Sequence, residues 1–141
     1  MKSLKYKILL LLIGLLLSTF NIQAQNQDWT AESNLIITGT SQAEVNTNLS
    51  KNGMALSLEQ IGYNSNDTTT FTITSISGNW NTQSHLGQII YNIEMDNNTI
   101  SGMLTITGTS EGVTIILSLV GDNVHNDTFE FPLDIETLNN L

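Results

Sequence analysis

Two histidines, His85 and His125, are the side chains best suited to moving a proton near neutral pH, and neither stands in a pattern that supplies it with a partner. Nucleophilic catalysis needs a nucleophile, a base and a group that orients the base. The chain has no cysteine and no arginine, and its serines are scattered among turns, so no hydrolytic triad can be argued from it. His125 sits in Asp122-Asn123-Val124-His125-Asn126-Asp127, whose oxygens could ligate a cation, yet the spacing fits no calcium loop. These are also the residues that turns prefer, and a polar turn is the expectation. His85, at the end of Asn81-Thr82-Gln83-Ser84-His85, reads as a loop residue. No catalytic residue, metal site or cofactor is therefore expected, and the protein reads as a non-enzyme.

Aromatic side chains offer a second chemistry, the stacking of sugar rings. The candidates are Trp29, Trp80, Tyr63 and Tyr91. Tyr91 is in phase with Ile89 and Ile93 and belongs with the core. Trp80 follows Gly78-Asn79 at a strand end, a position open to either packing or contact.

The elements that must position these residues begin after a leader. Met1 to Lys7 carries three lysines, an apolar run follows from Ile8 to Leu17, and a short polar stretch ends at Ala24 before Gln25. This is the pattern of a secretory signal peptide, its apolar run shorter than the about 20 residues of a membrane span. Cleavage after Ala24 leaves 117 residues, one domain's worth, with Lys51 as the sole lysine against thirteen carboxylates and a net charge of −12. Such a surface is a poor partner for nucleic acid or anionic lipid. Without cysteine, stability must come from packing and strand ladders rather than disulfides.

From Gly53 onward, segments of about eight to ten residues alternate apolar with Thr, Ser and Asn, separated by turn residues. Phe71 and Ile73 give way to Ile76 and Trp80 in the opposite phase, which predicts a bulge near Ser75. The later segments carry Ile89, Tyr91, Ile93 and Met95; Ile100, Leu104 and Ile106; Val113, Ile115, Leu117 and Leu119; and Phe129, Phe131, Leu133 and Ile135. With Leu35–Ile37 and Gly53–Ile61 the count is about seven strands, which predicts an immunoglobulin-like antiparallel β-sandwich, with a small barrel as the alternative. An outer-membrane barrel is disfavoured because the polar face carries Thr, Ser and Asn where a lipid-facing band would be apolar. The expected organisation is a signal peptide over 1–24, a flexible segment over 25–32, the sandwich over 33–135 and a tail over 136–141.

The stretch from Thr69 to Pro132 resembles the small periplasmic curli-assembly chaperones. The residues that carry the likeness are Thr70-Phe71-Thr72-Ile73-Thr74-Ser75-Ile76 leading into Asn81-Thr82-Gln83-Ser84-His85, then Gly112 to Val120 with Gly121-Asp122, and a final strand ending in Phe131-Pro132. About half of the mature chain is covered. The resemblance implies a monomeric periplasmic sandwich, without cofactor or membrane insertion, that binds curli-type amyloid subunits or other unfolded β-rich protein and delays their polymerisation. Trp80, Asn81, Thr82, Gln83 and His85 are the candidate client contacts. One branch of that family carries a Cys-x-Cys pair where this chain has Asp67-Thr68-Thr69, so the cysteine-free branch is the better comparison. The alternatives are a secreted or cell-surface adhesin or carbohydrate-binding module using Trp80, with Trp29 or Tyr63, and a fibre subunit, for which Leu58-Glu59-Gln60-Ile61-Gly62-Tyr63-Asn64 resembles part of one curlin repeat.

Overall fold

The computed structural model describes residues 26–95, 99–121 and 124–141. The expected leader, the Asp96–Asn98 turn and Asp122-Asn123 lie outside them, as does the side chain of His125.

Eight strands follow one another along the chain: β1 Trp29–Thr38, β2 Ser41–Asn52, β3 Ala55–Ile61, β4 Asn66–Asn81, β5 Leu86–Met95, β6 Ile100–Thr109, β7 Gly112–Gly121 and β8 Val124–Leu133. Each pairs antiparallel with the next, and β8 returns to β1, so the sheet closes into a single up-and-down barrel. The expectation of a two-sheet sandwich of about seven strands is corrected on this point. A sandwich needs strands that cross between sheets, and here no strand leaves its chain neighbour. Three register shifts, at Ser33/Leu35, Ile73/Ser75 and Leu119/Gly121, add the local twist that curls one sheet onto itself. The second is the bulge that the phase slip near Ser75 predicts.

Period-two alternation turns the main apolar set of each strand inward, although Met103 and Val120 remain exposed on the outer face. Ile89, Ile106, Ile115 and Phe131 are in register across β5 to β8, and Tyr91, Leu104 and Leu117 form the neighbouring rung. All of them are buried, together with Leu49, Leu56, Phe71 and Ile73 from the other wall. The outward positions carry Thr, Ser and Asn, which hydrogen-bond across strands at Ser57–Thr70 (3.4 Å), Ser118–Thr128 (3.4 Å) and Gln88–Thr107 (3.3 Å). Asn52-Gly53-Met54 makes a tight hairpin, with Gly53 at φ 58°, where a side chain would be strained.

The seam between β1 and β8 is built differently from the other ladders. Among the described residues its backbone register holds one pair, Ile37 with Glu130. Below it stands Pro132, the chain's one proline, which has no N–H to give; its carbonyl accepts instead from Ser33 Oγ at 2.7 Å. A 3₁₀ turn at Ile135–Thr137, capped by Asp134, then carries the chain along β1. Thr137 Oγ1 accepts from the Glu32 amide at 3.1 Å, and Thr30 and Asn139 exchange backbone hydrogen bonds of 3.2 and 2.9 Å. Leu138 and Leu141 are thereby buried against the barrel floor, so residues 136–141 are part of the folded unit.

The N-terminal side is ordered in the same way. β1 begins at Trp29, inside the segment expected to be flexible, because Trp29 and Ala31 alternate into the core. Lys51 is buried too, and its Nζ donates to the carbonyls of Asn26 (3.1 Å) and Gln27 (3.2 Å) and lies 3.5 Å from the Asp28 carboxylate. Asp28 also accepts from the Gly53 amide at 2.7 Å. A buried ammonium is tolerated when its donors are satisfied, and residues 26–28 satisfy them.

Candidate binding surface

The five residues expected to contact a client lie around the β4–β5 turn, and they do not form one surface. Trp80 is 2% exposed, turned into the barrel at its floor, with its ring 6.4 Å from that of His85. His85 is half-buried in a left-handed conformation at φ 53°. Asn81, Thr82 and Gln83 are exposed, and Asn81 Oδ1 accepts from the amides of Gln83 and Ser84, both at 3.0 Å, so its side chain is occupied in shaping the turn. Of the four aromatic candidates, Trp29 and Tyr91 are core residues joined by a 2.9 Å hydrogen bond, and burial pushes the Tyr91 phenol up to about 12. Tyr63 alone among them is at the surface, fully exposed.

Tyr63 stands beside a wide concave feature of the described surface. β2 has twelve residues and β3 has seven, and their pairing ends at Asn46 and Ile61. Past that point β2 continues only against β1, and the Gly62–Ser65 turn, closed by a 2.9 Å hydrogen bond, folds beside it. The step so created is a cleft of about 800 Å³ bordered by Asn34, Gln42, Glu44, Asn46 and Tyr63. A second cleft of about 440 Å³ shares Asn34, Asn46 and Ile61 with it and runs on past Glu32 to Asp134 and Thr137 of the C-terminal turn. Together they form a trough across the outer face of β1–β3.

Local sequence explains the composition of this trough. Outward positions of β2 are Gln42, Glu44, Asn46 and Asn48, and the register shift sets Val45 and Asn46 of β2 against the single Asn34 of β1. Asn48 donates to Glu59 at 3.2 Å, and Asn66 holds the other oxygen of the same carboxylate at 3.2 Å. The amides of Asn34, Gln42 and Asn46 make no side-chain hydrogen bond within the described residues, which leaves them available to a ligand. Glu32, Glu44 and Asp134 contribute three carboxylates, while Lys51, the one lysine among the described residues, is buried and bonded to residues 26–28. Apart from Tyr63, sequence reasoning missed these residues; the alternating amides and carboxylates of β2 were the signal that could have found them.

Among the described residues no three His, Cys, Asp or Glu side chains are grouped to hold a metal ion, and no helix is long and apolar enough to cross a membrane. The chain matches no protein family, no curated protein and no solved structure.

Proposed function

We propose that this protein is an exported, non-catalytic binding module that holds a carbohydrate polymer along the β1–β3 trough. The observation that carries the reading is the fully exposed ring of Tyr63 at the border of a cleft where the side chains of Asn34, Gln42, Glu44 and Asn46 stand among Leu35, Val45 and Ile61. Sugars present an apolar C–H face and a rim of hydroxyls, and an aromatic platform beside amides and carboxylates answers both. An open trough suits a polymer better than a small ligand, which needs most of its surface enclosed. The signal-peptide pattern supports export, to the periplasm or the cell surface. The apolar interior and polar outer wall are the reverse of a lipid-embedded barrel.

The test is an immobilised-polysaccharide panel probed with the mature chain and with Tyr63→Ala. Retention on at least one glycan, reduced tenfold or more in the variant without a change in melting temperature, is the expected result. Retention on none, or equal retention of both proteins, would remove the reading.

A second reading is the restraint of curli-type amyloid subunits, drawn from the resemblance of Thr69–Pro132. One observation favours it: β1 and β8 share a single ladder pair, so an extended client has a sparse seam at which to add a strand. The mature chain, added substoichiometrically to a polymerising curlin-type subunit, should then lengthen the thioflavin lag beyond that given by an equally acidic barrel. An unchanged lag would discard this reading for that client.

A further inference from the structure

Resting on the carbohydrate reading, we infer that the polymer selected by the trough is cationic, an amino-sugar chain with free amines. Charge complementarity carries the inference. Glu32, Glu44 and Asp134 border the two clefts, and among the described residues none of them has a basic side chain as partner. Elsewhere on a protein surface carboxylates are commonly interspersed with lysine and arginine. Here the one lysine after the leader is buried, with its Nζ bonded to the backbone at Asn26 and Gln27.

The whole mature chain adds to this local field. Its net charge of −12 attracts a polycation and repels uronate or sulfate polymers, raising the encounter rate with the first and lowering it with the second. Within the trough an ammonium group would be met by a carboxylate in a charge-assisted hydrogen bond. The exposed face of Tyr63 attracts cations through its ring quadrupole as well as stacking on the sugar's C–H face. The free amides of Asn34, Gln42 and Asn46 are left for the hydroxyls, which distinguishes a sugar from a bare polyamine.

A protein this acidic will attract any polycation weakly, so the experiment must separate the trough from the net charge. Titration calorimetry with a glucosamine hexamer and an N-acetylglucosamine hexamer, at low and moderate salt, gives the amine preference. Two double variants remove the same charge at different places. Glu32→Gln with Glu44→Gln acts in the trough, and Glu94→Gln with Glu111→Gln acts on β5 and the β6–β7 turn, away from β1–β3.

The expected result is at least tenfold tighter binding of the glucosamine hexamer, weakened tenfold or more by the trough pair and by Tyr63→Ala, and within twofold of wild type for the distant pair. Equal weakening by both pairs would show attraction to net charge and overturn the inference. Equal binding of both hexamers, lost in Tyr63→Ala, would overturn the amine preference while leaving the carbohydrate reading in place. If neither hexamer binds, the amino-sugar inference falls, and the glycan panel decides the broader reading separately.

Discussion

Trp29 and Tyr91, 62 residues apart in the chain, meet inside the barrel, where the indole N–H donates to the phenol oxygen at 2.9 Å with the ring centroids 6.2 Å apart. Burial raises the Tyr91 pKa to about 12, and the hydrogen bond from Trp29 pulls the other way without cancelling it. The phenol is therefore neutral in the fold at a pH where an unfolded tyrosine, with its ordinary pKa of 10.0, ionises. A raised acid pKa contributes stability that is fully present below pH 10 and is lost as the pH rises toward 12. The loss amounts to about 2–3 kcal/mol. Denaturation midpoints measured across that window should fall in the wild type. Tyr91→Phe should start about 1–3 kcal/mol less stable, since it orphans the Trp29 N–H, and should lose less on the way up. Parallel pH curves for the two proteins would contradict this assignment.

Lys51 ties residues 26–28 to the barrel, and its contribution is separable. Replacing it with Met keeps the apolar stem and removes the donors to Asn26 and Gln27, with an expected cost of about 1–3 kcal/mol. A chain beginning at Trp29 loses the same hydrogen bonds and the Asp28 carboxylate that also holds the Gly53 amide, while keeping an ammonium without these partners, so it should be the less stable of the two. Combining truncation with Lys51→Met should then cost less than the sum of the two changes. Additive losses in urea denaturation would mean that the latch is not one cooperative unit.

Trp80 serves the core, and substitutions around it should behave accordingly. Trp80→Ala is expected to cost about 3–5 kcal/mol, whatever it does to binding. A Cβ at Gly108 would stand 1.8 Å from the His85 carbonyl and 2.8 Å from the Trp80 ring, so Gly108→Ala must displace backbone. Gly39, at φ 59° with nothing within 4 Å of an added Cβ, is strained only through its backbone, and Gly39→Ala should cost about 1 kcal/mol. The melting temperature of the Gly108 variant should drop well below that of the Gly39 variant. A reversed order would refute the packing described at the floor.

The parts of this fold legible in the sequence are those written in local alternation. Phe71, Ile73 and Ile76 announce both a strand and its bulge, and Tyr91 is placed in the core by the phase of Ile89 and Ile93. Closure was not legible, because it depends on contacts such as Ser33 with Pro132 that are 99 residues apart and use a side chain where a backbone donor is missing. A sandwich and a barrel make the same demand on each strand's two faces; what separates them is which strands pair. The candidate surface was legible to the extent of Tyr63. Its neighbours Asn34 and Glu44 come from the other side of a register shift, and only the end of β3 at Ile61 exposes the step between them.

The seam should be the place where the barrel opens first. Among the described residues every other neighbouring pair of strands shares a ladder of seven or more residue pairs, whereas β1 and β8 share one, supplemented by Ser33 and by the Thr30–Asn139 bridge. Local opening follows the density of protected hydrogen bonds, so amides of β1 facing β8 should exchange with deuterium before those of β5–β7. Ser33→Ala removes the 2.7 Å hydrogen bond to Pro132 and strands a part-buried carbonyl, at an expected cost of about 1–3 kcal/mol. Its effect on exchange should be concentrated in β1 and β8, because the ladders of β5–β7 are intact in the locally opened state. Acceleration spread evenly over all eight strands would instead show that the barrel opens as one unit, with the seam no weaker than the rest.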